Sequence, residues 1–142
     1  MKTVRLLLEQ KPVVTITVDA DEPVRRAIEL LAENHIGALP VVAGEDLVGI
    51  VSERDYARKV VLQGRNSTDT QVAQIMSAPV VTVTLDDTVH HCMQLMTDRR
   101  IRHLPVLEDG RLAGIISIGD CVRAILEEYE REIDELKRYI AS

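Results

Sequence analysis

The segments Gly49-Ile50-Val51-Ser52-Glu53-Arg54-Asp55 and Gly114-Ile115-Ile116-Ser117-Ile118-Gly119-Asp120 share one pattern: a glycine, two apolar residues, a serine and, three residues on, an aspartate. Such a pattern suits a strand passing into a helix. A serine followed three residues later by an acid reads first as a capping box. The hydroxyl accepts a free backbone N–H of the first helical turn, and the acid reaches back to the serine N–H. The same junction offers a second chemistry. Unpaired N–H groups and the positive end of the helix dipole attract phosphate, while a nearby carboxylate suits the paired hydroxyls of a ribose. The two roles are compatible.

A phosphate beside Asp55 or Asp120 needs cations to offset the repulsion, and the segments ahead of the two Pro-Val pairs differ in what they supply. Asn34-His35-Ile36-Gly37-Ala38-Leu39-Pro40 is nearly neutral, whereas Arg99-Arg100-Ile101-Arg102-His103-Leu104-Pro105 carries three arginines and a histidine. Guanidinium groups suit bidentate contacts to phosphate. A solvated helix end whose arginines favour the dipole accounts for the same cluster equally well. Arg54 adds a cation to the otherwise neutral first half.

Other chemistries find no support. Adjacent helical residues diverge by about 100°, so His90 and His91, followed by Cys92, cannot share one metal ion as an i, i+4 pair could. Catalysis through Ser117, His103 and Asp120 lacks a nucleophile elbow and an oxyanion site. Neither G-x-G-x-x-G nor G-x-x-x-x-G-K-[ST] is present, which argues against a Rossmann-type dinucleotide fold and a P-loop. The expectation is no catalytic residue and no metal site. With 17 Lys and Arg against 23 Asp and Glu, a net charge of -6 and 2% aromatics, the chain lacks the clustered cations and stacking rings of nucleic-acid binders. No stretch approaches the roughly 18 apolar residues of a membrane span, and the opening MKTVRLLLEQK is too briefly apolar for a secretory signal. Cys92 and Cys121 show no ligand spacing, so a reducing, cytoplasmic setting is expected.

The elements that position these residues come in duplicate. A shift of 65, the separation of Pro40 and Pro105, aligns the stretch from Thr17 to Arg58 with a second copy without a gap. Each copy opens on a β-branched run, Val13 to Val18 and Val80 to Val83, expected as a strand. Val24, Ala27, Ile28 and Leu31 then recur at helical spacing, as do Val89, Cys92, Met93 and Met96. Two short strands follow, Leu39 to Val42 and Leu47 to Val51, then Leu104 to Leu107 and Leu112 to Ile116, each pair joined by a Gly-containing turn. Second helices begin near Glu53 and Ile118, and the polar run Gln63 to Gln71 reads as a surface linker. At 142 residues and 46% hydrophobic, the chain can fill a sizeable core.

Val122, Leu126, Tyr129, Ile133, Leu136 and Ile140 alternate steps of four and three, a heptad seam. A helix lying back on its own domain and a helix pairing with a second subunit fit that seam equally.

The repeat, the LPVV and LPVL strands and the two Gly-x-x-Ser-x-x-Asp junctions together resemble a pair of cystathionine β-synthase (CBS) domains, a Bateman module. SERDYARKVVLQGR, RIRHLPV and GIISIGD are similar to stand-alone bacterial CBS-pair proteins and their plant organellar relatives, with no catalytic domain fused. The resemblance implies an α+β fold (an α/β sandwich) of two tandem β-α-β-β-α repeats with pseudo-twofold symmetry. CBS domains are then expected at 8–65 and 75–131, a linker at 66–74 and a C-terminal helix extension at 132–142. It also implies a non-enzymatic sensor that binds an adenine nucleotide (AMP, ADP, ATP or NAD(H)) in clefts between the repeats, forms a homodimer and signals to a regulated partner protein. Asp55 and Asp120 would hold ribose hydroxyls, Ser52 and Ser117 would sit by phosphate with Arg54 and Gly119, and Thr15, Ile16 and Val81 would flank the adenine. Arg100, Arg102 and His103 would reach phosphate in one of the two clefts, and the neutral first copy argues against equal occupancy of both. The competing class is a ligand-independent dimerisation scaffold with clefts that serve only as packing.

Overall fold

The computed structural model describes residues 1–11 and 14–142. Elements run in the order α1 (Val4–Glu9), β1 (Val18–Asp19), α2 (Val24–Asn34), β2 (Ala38–Ala43), β3 (Asp46–Ser52) and α3 (Glu53–Tyr56), which widens into a π-helical turn over Ala57–Val61. The second half repeats the series with α4 (Val72–Ile75), β4 (Val83–Thr84), α5 (Val89–Arg99), β5 (His103–Glu108), β6 (Arg111–Ser117) and α6 (Ile118–Ala141). Each half holds a sheet of the same topology, β1-β2-β3 and β4-β5-β6, with the first pair parallel and the second antiparallel. The predicted duplicated β-α-β-β-α unit is present.

Helical spacing buries the expected faces: Val24, Ala27 and Leu31 from α2, and Val89, Cys92 and Met96 from α5. The opening strands are much shorter than predicted. Of the run Val13 to Val18, Val13 lies outside the described residues, and pairing begins only at Val18 against Val41; in the second copy it begins at Val83 against Val106. β-branching favours a strand, but a ladder also needs a neighbour, and β2 and β5 meet these runs only at their last residues.

Proline in a central strand is tolerated where no ladder bond is lost. Pro40 stands opposite Ile50, whose N–H donates to the Ser77 carbonyl at 3.1 Å and whose carbonyl accepts from the Ser77 N–H at 2.8 Å. The backbone of Ile50 therefore faces away from Pro40. That bridge carries Ser77 to the end of β3.

A helix precedes each copy, and each one crosses over. Val4 and Leu7 of α1, ahead of the first copy, are buried in the core of the second with Leu104, Val106, Ile116 and Cys121. Val72 and Ile75 of α4, inside or beside the stretch 66–74, are fully buried in the core of the first with Leu39, Val41 and Val51. Matching backbone bonds fix the exchange: Val4 N–H to the Asp87 carbonyl and Val72 N–H to the Glu22 carbonyl, both 2.9 Å. The glycines that open the repeated motif serve this packing. A Cβ on Gly49 would stand 2.5 Å from Met76 Sδ, and one on Gly114 2.8 Å from Leu8 Cδ2.

The last helix lies on its own domain only over its first turns. Cys121 and Ala124 are its buried residues, and every residue from Tyr129 onward is exposed.

Candidate functional site

Both capping boxes form. Ser52 Oγ accepts from the Asp55 N–H at 3.2 Å, and Asp55 Oδ2 accepts from the Ser52 N–H at 2.9 Å and its hydroxyl at 3.0 Å. Asp55, only 8% exposed, also accepts at Oδ1 from Ser77 Oγ at 3.3 Å, with Lys59 Nζ 3.2 Å away. In the second copy Ser117 Oγ accepts from the Asp120 N–H at 3.2 Å, and Asp120 Oδ2 from the Ser117 N–H at 2.8 Å. There the further partners are Arg123, whose Nη1 lies 3.6 Å from Oδ1, and Lys11, whose ammonium lies 2.6 Å from Oδ2 and donates to the Ile115 carbonyl at 2.8 Å. Lys11 thus takes the carbonyl equivalent to the one that Ser77 takes on Ile50.

The two junctions face different spaces. A cleft of about 630 Å³ opens over Ser52 and Asp55, within the ordinary range for small-molecule sites. Its walls come from both copies: Arg54, Arg58 and Lys59 from the first helix end, and Arg100, Arg102 and His103 from the second copy's basic segment, with Ala38, Ile50, Val80 and Val81 supplying apolar surface. Asp120 instead borders a hollow of about 40 Å³ shared with Lys11, Arg123 and Glu127, too small for more than water.

Ser52, Arg54, Asp55, Val81, Arg100, Arg102 and His103 therefore meet in one cleft, while Thr15, Ile16, Ser117, Gly119 and Asp120 do not line it. Ile16 packs against the first core. Arg100 and Arg102 are exposed to solvent at the cleft edge, and Arg100 takes a left-handed conformation (φ 55°) as the C-cap of α5. Sequence reasoning passed over Arg58, Lys59 and Ser77 as site residues. Lys59 had a signal, its i+4 spacing from Asp55. Ser77 had none, since it lies outside the gapless repeat and arrives through its backbone pair with Ile50.

Electrostatics divides the site. Burial pushes the Asp120 carboxyl up, but the Lys11 hydrogen bond, the Ser117 N–H and the Lys11 charge outweigh it and hold Asp120 below the usual carboxylate range. Burial holds the His103 imidazole below its ordinary value, and the Lys11 and Arg102 charges push the same way against Asp120. Gly37 makes room for that ring, since a Cβ there would stand 3.3 Å from His103 Cε1. Burial drives the Cys92 thiol up to about 12 and Cys121 to about 11, so neither offers a thiolate near neutral pH. Among the described residues no group of three His, Cys, Asp or Glu is placed to hold a metal ion, and no helix is long and apolar enough to cross a membrane.

Residues 8–62 and 72–127 each match the CBS domain family. The chain is a pair of CBS domains. The CBS pair is 46% identical over 125 residues to the CBS domain-containing protein CBSX3, mitochondrial, of Arabidopsis thaliana, covering 84% of this chain and 61% of the plant protein. The chain thus spans less than two thirds of that relative. A CBS-domain protein from Burkholderia ambifaria MC40-6 superposes with a TM-score of 0.86 at 50% identity, covering 89% of this chain and 95% of that one. The CBS domain pair of protein MJ0100, solved in complex with 5-methylthioadenosine and S-adenosyl-L-methionine, superposes with a TM-score of 0.79 at 28% identity over 90% of this CBS pair and 98% of that chain.

Proposed function

We propose that this CBS pair is a non-catalytic regulatory module that senses an adenine nucleotide, AMP, ADP, ATP or NAD(H), in the 630 Å³ cleft and passes the signal to a partner protein. The observation that carries the reading is the joining of Ser52 and Asp55 from one repeat with Arg100, Arg102 and His103 from the other around one space. An acid beside a helix start suits ribose hydroxyls, the cations suit phosphate, and Val80 and Val81 give an apolar wall for a base. The adenosine ligands of the MJ0100 pair lend the reading support. Ligand binding across two repeats ties their relative placement to occupancy, which a partner can read.

A ligand-independent scaffold draws on one observation, that both aspartates are already bonded within the chain. A thermal-unfolding panel of AMP, ADP, ATP, NAD and NADH, with guanine nucleotides as controls, separates the two. Ligand at 100 times its dissociation constant adds about 2.7 kcal/mol, or roughly 4 °C or more in melting temperature. The expected result is a shift with an adenine compound that Asp55→Asn reduces and Asp120→Asn leaves largely intact. No shift with any of them, in ligand-free protein, favours the scaffold.

A further inference from the structure

The two carboxylate oxygens of Asp55 have different duties. Oδ2 accepts from the Ser52 N–H at 2.9 Å and from the Ser52 hydroxyl at 3.0 Å, contacts that belong to the cap. Oδ1 serves other partners: the Ser77 hydroxyl donates to it at 3.3 Å, and the Lys59 ammonium stands 3.2 Å away. An ionised carboxylate offers about four acceptor positions, and these groups of the chain already stand on them. A further hydroxyl that reaches Asp55 must therefore displace one. Releasing Ser52 would undo the cap of α3. Lys59 is charged and held in place by a second bond, to the Ile75 carbonyl at 2.9 Å. Ser77 is neutral, exposed and the most distant of the four. Its backbone is held separately by Ile50, at 2.8 and 3.1 Å, so the hydroxyl can turn away by side-chain rotation alone.

We infer that Ser77 is an internal competitor for the cleft: its hydroxyl holds, on Asp55 Oδ1, the position that a sugar hydroxyl of the ligand takes, and it turns aside when the ligand binds. This rests on the nucleotide reading of the cleft. An alcohol of the chain and a hydroxyl of a sugar make the same kind of bond to a carboxylate, so the exchange replaces like with like and that contact adds little net affinity. In the free protein the contact keeps a buried acid satisfied. Ser77 thus lowers the affinity of a site that it also lines. The second repeat carries no such partner. Lys11 stands 2.6 Å from Asp120 Oδ2, and a charge-assisted bond is about twice as strong as a neutral one, so a hydroxyl does not displace it on equal terms.

Calorimetric titration of AMP, ATP and NADH into the full-chain wild type, Ser77→Ala and Ser77→Thr reads the exchange. Ser77→Ala removes the competitor, so it is expected to bind the nucleotide roughly two- to tenfold more tightly, the span that one neutral hydrogen bond covers. The same variant, free of ligand, should melt below wild type. Ser77→Thr keeps the hydroxyl and should bind as wild type does. A serine that only supports the fold would lower the melting temperature and leave affinity unchanged, and one that donates to the ligand would weaken binding on removal. Either result overturns the competitor and leaves the cleft a nucleotide site, as does a Ser77→Thr protein that tightens as much as Ser77→Ala. Binding of none of the three nucleotides to any of the three proteins removes the nucleotide reading itself, and this inference with it.

Discussion

Lys11 Nζ stands 2.6 Å from Asp120 Oδ2 and 2.8 Å from the Ile115 carbonyl oxygen, so an ammonium just beyond α1 occupies the mouth of the second capping box. In the first repeat Ser77 takes the equivalent carbonyl and bonds the equivalent carboxylate, with Lys59 beside it, and the large cleft opens over that junction. Lys11 and Ser77 are thus the differing partners of two junctions whose serines, aspartates and capping bonds repeat.

Lys11→Met is expected to destabilise the fold by about 1.5–3 kcal/mol, the cost of losing hydrogen bonds to a charged group, with its partly exposed side chain placing it toward the lower end. The difference from wild type depends on pH with a definite sign. Asp120 has a depressed folded pKa, so its contribution is fully present above the unfolded value near about 3.9 and fades as pH falls through the folded one. Urea unfolding of both proteins at neutral pH and in acid checks this, and the two curves should converge in acid.

If the cleft takes a nucleotide as proposed, His103 is expected to tie its binding to protons. With a folded pKa below about 6.5, the free protein carries a mostly neutral ring at pH 7, and its stability contribution drops away as pH falls through that depressed value. A phosphate in the cleft favours the imidazolium, so binding takes up a proton. Affinity is therefore expected to rise between pH 7.5 and 6, and His103→Gln to flatten the slope. Calorimetric titration in buffers of different ionisation enthalpy measures the uptake directly.

Arg102→Gly copies into the second repeat the residue that the first carries as Gly37. Removing one charge-assisted contact of about 1.5–3 kcal/mol should weaken nucleotide binding roughly tenfold or more and lessen its dependence on salt, since exposed cations are screened by ions. Titrations at low and high salt give both readings. Equal affinity and equal salt slope in the two proteins would show that Arg102 is only a solvated residue after α5.

Gly49→Ala tests the exchanged helices. Its Cβ meets Met76 at Sδ (2.5 Å), Cγ (2.9 Å) and Cβ (3.2 Å), an overpacking expected to cost about 1–3 kcal/mol. Met76→Ala clears that space, so the double variant should be more stable than the sum of the single losses predicts. A double-mutant cycle by chemical unfolding supplies the number.

The strands about Pro40 and Pro105, the helices α2 and α5, and the caps at Ser52 and Ser117 were all legible in the residues, because each depends on local periodicity or on partners three residues apart. So was the difference between the neutral and the basic segment. Which space that basic segment faces was not legible. Arg102 and His103 share a cleft with Ser52 and Asp55 only because β3 and β6 bring the two repeats together. Likewise α1 and α4 sit in the opposite repeats, through contacts such as Gly114 against Leu8 that span most of the chain, and no short window records them. The heptad stripe was visible in sequence, but burial alone decided that its end stands in solvent. Local spacing therefore determined the two units and their capped junctions, while long-range packing decided that the first junction shares a cleft with the other repeat's basic segment and that Lys11 sits on the second.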